Sequence, residues 1–120
     1  MNQSMVEEVI KNYDSHDLPL ETVYLDIPYM NNYVDFSVNY TAFKTIGDLA
    51  TNLHNTGRRL VVIIDAAMSA EDTTANNKYY TMGNNDDIFI KSSMYNSKMY
   101  NGNLIGSVWP KQAVFIDWFN

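Results

Sequence analysis

Residues 60–64, Leu-Val-Val-Ile-Ile, form an unbroken aliphatic run that ends in Asp65. A run this short and this uniformly apolar asks for cover on both faces, the condition of a strand inside a parallel sheet. A parallel neighbour can be reached only through a crossover connection, most often a helix. The sequence supplies both parts. Residues 22–26, Thr-Val-Tyr-Leu-Asp, are rich in strand formers, and Pro28 stops them because proline cannot donate to a ladder. Between the two runs, Phe43, Ile46, Leu49, Ala50 and Leu53 recur at helical spacing as far as about His54, with Gly57 as the stop. Strand, helix, strand is a βαβ unit. Ahead of it, Val6, Val9, Ile10 and Tyr13 mark one face of a first helix. Ser4 and Glu7 stand at capping-box spacing before it, and Pro19 breaks it.

After Asp65 the pattern fades. Residues 66–106 are polar, and only 87–91, Asp-Ile-Phe-Ile-Lys, look strand-like. A connection of that length in a compact domain is usually functional or disordered. The aromatic segment at 108–120 reads as a turn and the start of a helix. A chain of 120 residues suits one small domain, expected here to span 1–120. Its 46% hydrophobic content and 18% charge exclude a disordered composition. With a net charge of -6 and no basic cluster beyond Arg58-Arg59, no nucleic-acid partner is expected. The aliphatic run is far too short to span a bilayer, so no membrane span is expected either. The opening residues lack a basic and an apolar region, so no signal peptide is read there. The absence of cysteine excludes disulfides and thiolate metal sites but does not fix the compartment. Aromatic residues reach 13%, which suits stacking on ring-shaped ligands, although a tyrosine-rich core and rim is the plainer reading.

Two strands thus end in aspartate, Asp26 and Asp65, at positions read as equivalent on successive parallel strands. In parallel α/β folds the ligand sits beyond the carboxyl ends of the strands, so both carboxylates are candidates to face one pocket. The plainer alternative is that each caps the following turn. Paired acids suit hydroxyl binding, glycoside chemistry or a hard metal, and spacing alone does not choose. Asn84-Asn85-Asp86-Asp87 lacks a calcium-loop pattern and reads as a solvated turn. His16 and His54 read as solvated or capping side chains at helix ends. Trp109, before Pro110, suits a stacking platform or a core plug equally. Asn2-Gln3-Ser4 and Asn39-Tyr40-Thr41 fit the glycosylation sequon, a match expected by chance in an asparagine-rich chain.

Taken in order, several stretches resemble the family 31 glycoside hydrolases, the α-glucosidase and maltase-glucoamylase group. They are "LPLETVYLDIPYMNNYVDFSVN", "LATNLHNTGRRLVVIIDAAMS", "NDDIFIK", "GSVWP" and "VFIDWFN", spread in order between residues 18 and 120. The resemblance implies an α/β fold that is part of a (β/α)8 TIM barrel: about two strands with their helices and a long active-site loop. It implies an α-glucoside or oligosaccharide substrate, hydrolysed at O-glycosyl bonds, with no cofactor and no metal. By the family pattern Asp26 and Ile27 line the sugar pocket, with Asp26 bonding glucose hydroxyls. Ile63 supplies apolar wall, Trp109 packs against the terminal glucose, and Asp65 lies in or just behind the pocket.

The chain departs from the family pattern in places. Asp-Ile-Asp-Tyr-Met has become Asp26-Ile27-Pro28-Tyr29-Met30, Asp-Pro has become Asp65-Ala66, Lys111 replaces a glycine and Ile116 a proline. The family's nucleophile, an aspartate in a Trp-x-Asp-Met-Asn-Glu-like motif, and its later acid/base aspartate have no counterpart here. A retaining glycosidase needs two carboxyls about 5–5.5 Å apart. No catalytic residue is therefore assigned, and the chain is expected to be inactive alone, with the remainder of the barrel needed for folding. The expectation is a glycosidase segment; the alternative is a degenerate, non-catalytic carbohydrate-binding or interaction module. Family members are often secretory, lysosomal or extracellular, which leaves the compartment of this chain unknown.

Overall fold

A computed structural model of the chain describes residues 1–70, 78–92, 99–100 and 102–120. They divide into two compact units, Met1–Asn31 with Ser37–Ile63, and Asn32–Phe36 with Ile64–Asn120.

The first unit is the βαβ motif with a helix in front. Helix α1 spans Gln3–Ser15, strand β1 Thr22–Leu25, helix α2 Ile46–Asn55 and strand β2 Arg59–Val62. The strands pair in parallel, Thr22 with Arg59 through Leu25 with Val62. The residue at the start of α1 is capped by Asn2, whose side chain accepts from the Met5 N–H. Ser4, one turn-position later, donates its hydroxyl to that same Asn2 oxygen at 2.9 Å, so the expected Ser4–Glu7 box gives way to an asparagine cap. Thr45 precedes α2 without a side-chain cap of its own. Gln3 fills that role from α1, accepting from the Thr45 N–H at 3.0 Å and donating to its hydroxyl at 2.7 Å. Gly57, at φ +76°, takes the left-handed conformation that ends α2. Leu25, Tyr29, Met30, Phe43, Leu49 and Leu53 form the core, joined by Val6.

The second unit is woven from short pieces. Strand β3, Ala67–Ser69, runs antiparallel to β6, Ala113–Phe115; helix α3 spans Lys78–Asn85; β4, Met99–Tyr100, and β5, Asn103–Leu104, form a small hairpin. Its core gathers Met68, Ala70, Tyr80, Phe89 and Val114. The Tyr80 and Phe89 rings stack with centroids 5.6 Å apart. Gly83 is required beneath them, because a Cβ there would stand 2.6 Å from the Phe89 ring. Asn103, fully buried, donates to Asn84 Oδ1 at 2.8 Å and accepts from the Lys91 ammonium at 2.7 Å.

The α/β expectation and the βαβ order hold, and the described strands do not close into a barrel. Four sequence readings need correction. The run at 60–64 is not buried on both faces: Val61, Val62, Ile63 and Ile64 are exposed, and among the described residues helix cover lies on one side of the strand pair. Asp26 and Asp65 are not equivalent, since the register that pairs Leu25 with Val62 sets Ile63 level with Asp26. Residues 66–106 hold β3, α3, β4 and β5 rather than one long loop, residues 71–77, 93–98 and 101 lying outside the described residues. The closing aromatic segment forms β6, not a helix start, because its backbone is taken up by antiparallel pairing with β3. Residues 88–91 are extended but bridge to single partners, Phe89 to Ile116 and Lys91 to Asn103.

Candidate functional site

Asp26 follows β1 immediately and opens a short 3-10 turn, Ile27–Tyr29. Its Oδ1 accepts from the Ile27 N–H at 2.7 Å. Pro28 suits this turn, where its missing N–H would have no partner and its fixed φ is already close to helical. Tyr29 then locks the turn to the other strand by donating its hydroxyl to the Ile63 carbonyl at 2.8 Å. The Ile63 N–H donates to the Leu25 carbonyl at 3.0 Å, extending the ladder one step past β2. Tyr24 and Asp26 on one strand and Val61 and Ile63 on the other therefore share a face, because side chains alternate along a strand. Leu25, between them, is buried in the helix-facing core. These residues line an open hollow of about 520 Å³ at the carboxyl end of the pair. Asp26 itself is exposed, and among the described residues its Oδ2 makes no hydrogen bond. Oδ1 thus caps the turn, while Asp26 as a whole lines the hollow.

In the second unit, the Asp65 backbone N–H donates to Asp35 Oδ1 at 3.0 Å. Asp35 is only 1% exposed. Burial raises its carboxyl above the usual value; the Asp65 N–H partly offsets this, and the Asp65 charge adds to the rise. Asp35 sits in a tight loop in which Asn32, Tyr33 and Phe36 all take positive φ, from 51° to 64°. The Phe36 ring meets Tyr79 of α3 at 5.2 Å, tilted by 60°.

Trp109 lies at the tip of an excursion over residues 107–112. Reciprocal backbone bonds between Gly106 and Ala113, at 2.9 and 3.0 Å, close its base. The indole is 67% exposed, while Pro110 beside it is buried, so within this chain Trp109 is not a core plug.

Of the five residues expected at a sugar site, Asp26 and Ile63 come together at one hollow. Ile27 is buried at 7% exposure, and Asp65 and Trp109 belong to the second unit. Asp35 carries no signal in the sequence: it stands in a turn-like stretch, and no periodicity marks a loop aspartate as buried. Among the described residues, no cluster of His, Asp and Glu could hold a metal ion, and no helix is long and apolar enough to cross a membrane.

Comparison with known proteins bears on this geometry directly. The α-glucosidase of Mucor javanicus is 36% identical over 99% of this chain, and that of Aspergillus niger 34% identical over 98%. The chain spans only 13% and 12% of their respective lengths. The crystal structure of a glucosidase II alpha subunit, in its alpha3-Glc2-bound form, superposes with a TM-score of 0.84 at 26% identity, covering 99% of this chain and 12% of the other. The model for the glycosyl hydrolases family 31 TIM-barrel domain matches residues 1–120, and the chain belongs to that family.

Proposed function

We propose that residues 1–120 are a segment of a family 31 catalytic domain that carries one wall of an α-glucoside pocket and none of the catalytic acids. The observation that carries this reading is the placement of Asp26: exposed at the carboxyl end of β1, level with Ile63, on the sheet face turned away from the helices. In a (β/α)8 barrel that face lines the interior, and ligands bind at that end. The names of the α-glucosidase relatives support α-linked glucosides or oligosaccharides as the substrate class. In this reading Asp26 accepts from sugar hydroxyls, and charge makes those bonds stronger than neutral ones. Ile63 offers apolar wall, and buried Ile27 holds the turn that aims Asp26. The exposed indole of Trp109 suits the apolar face of a sugar ring, and the Asp65 backbone is tied to Asp35. Nucleophile and acid/base belong to the rest of the barrel, which also covers the open β1–β2 face.

The test is a chimera in which this chain replaces the matched segment of the Mucor javanicus α-glucosidase. The chimera should hydrolyse a nitrophenyl α-glucoside, while residues 1–120 alone should not. Asp26→Ala should then lower kcat/KM roughly ten- to hundredfold, the loss of a hydrogen bond to a charged group being worth about 1.5–3 kcal/mol. Asp26→Asn should fall between. A folded chimera whose kcat/KM ignores Asp26→Ala would reduce Asp26 to a turn cap. A folded chimera without activity would favour the degenerate binding module.

A further inference from the structure

The triplet Asn39-Tyr40-Thr41 has the form read by oligosaccharide-transferring enzymes, and the sugar pocket makes no use of it. Asn2-Gln3-Ser4 has the same form. Both lie in the first unit beside a polar groove of about 590 Å³, lined in part by Asn2, Ser4, Asn39 and Thr41. Their side chains are used differently.

At Asn39 the backbone makes a tight turn. Its N–H donates to the Tyr29 carbonyl at 2.7 Å, and its own carbonyl accepts from the N–H groups of Ala42 and Phe43 at 3.1 and 2.8 Å. The side-chain Oδ1 accepts from the N–H groups of Thr41 and Ala42 at 3.1 and 3.2 Å. Every polar group of Asn39 is thus engaged except Nδ2, which makes no hydrogen bond among the described residues. Nδ2 is the atom that carries an N-linked glycan. A substituent there leaves Oδ1 and both of its bonds in place, so the turn survives modification. Tyr40 is 67% exposed, Thr41 is exposed, and the Thr41 hydroxyl is likewise unbonded among the described residues. At the other triplet the Ser4 hydroxyl is already spent on Asn2 Oδ1, inside the first turn of α1.

We propose that Asn39 is an N-glycosylation site and that Asn2 is not. In the transfer, Asn39 Nδ2 attacks the anomeric carbon of a polyprenyl-pyrophosphate-linked oligosaccharide. The C–N bond forms as the anomeric C–O bond breaks. The pyrophosphate leaves with the electron pair, and one amide proton passes to a base of the transferring enzyme. The added sugar lies over the polar groove and shields it with a hydrated surface.

The test uses the intact 120-residue chain behind a cleavable secretion leader in a eukaryotic host. Leader-cleaved chains are collected from the lysate, so the result does not depend on export, and weighed before and after peptide N-glycosidase. The expected result is one glycan, with aspartate left at position 39 after its removal. It should vanish in Thr41→Ala and Asn39→Gln, and persist in Thr41→Ser and Asn2→Gln. Thr41→Ala keeps the backbone N–H of the turn, so its effect reports acceptor recognition rather than folding. Unmodified leader-cleaved wild-type chain, a glycan that survives Thr41→Ala, or one that vanishes with Asn2→Gln would each overturn the proposal.

Discussion

The first unit buries apolar side chains between two helices and one face of a parallel strand pair, and leaves the other face bare. The second wraps short antiparallel ladders around Phe89 and buries polar groups with them, Asp35 at 1% and Asn103 at 0% exposure. The difference teaches where each is vulnerable. The first is held by contact area, so its largest losses come from cavities. The second must keep its buried polar groups satisfied, so small changes of hydrogen bonding count there.

The largest expected effect is in the first unit. Phe43→Ala empties a fully buried site and should cost about 3–5 kcal/mol, read from hydrogen exchange at the amides of α2. A loss below about 1 kcal/mol would mean that this unit does not depend on its core as described. Next comes Asp35→Ala, which removes the carboxylate that accepts from the Asp65 N–H and should cost about 1–3 kcal/mol in protection of the β3–β6 amides. Asp35→Asn retains an acceptor and should cost less. Asn2→Ala removes the α1 cap and should cost about 1 kcal/mol, seen as fraying of the first helical turn. The smallest change should follow Arg58→Ala, which breaks an exposed ion pair with Asp14.

Acid should separate the units by sign. The folded carboxyl of Asp35 lies above its ordinary value of 3.8, chiefly through burial. Its contribution is fully present below that value and is lost as pH rises through the folded one. Asp14 is held below 3.8, chiefly by its hydrogen bond from Arg58. Its contribution is present above 3.8 and is lost as pH falls through the depressed value. Lowering the pH from neutrality should therefore strengthen protection at β3–β6 before it weakens the join between α1 and the start of β2. Asp35→Asn should abolish the first trend and leave the second.

The same contrast governs what could be read from the residues alone. The βαβ unit announces itself because each element carries its own periodicity and its own stop: Pro28 after β1, Gly57 after α2. Asp26 is a candidate on sequence grounds because the carboxyl end of a parallel strand is a known place for ligands. The exposure of residues 61–64 could not be foreseen, since an aliphatic run reports the cover a strand needs and not the cover the chain provides. In the second unit β3 and β6 are three-residue strands distant in sequence, too short to show alternation. Helix α3, Lys-Tyr-Tyr-Thr-Met-Gly-Asn-Asn, is masked by its glycine and asparagines. Gly83 is there for the ring above it, a reason visible only once Phe89 is in place.

The closed base beneath Trp109 bears on how such a chain can diverge. Gly106 cannot carry a side chain, because a Cβ would meet the Phe115 ring at 2.7 Å, and its reciprocal bonds with Ala113 seal the ladder from whatever lies beyond. The exposed positions of the excursion, Ser107, Val108, Lys111 and Gln112, can therefore vary in sequence without disturbing β6. Lys111, standing exposed where the family pattern has glycine, is an example of such drift. Changes of sequence at that tip leave the pair at its base undisturbed.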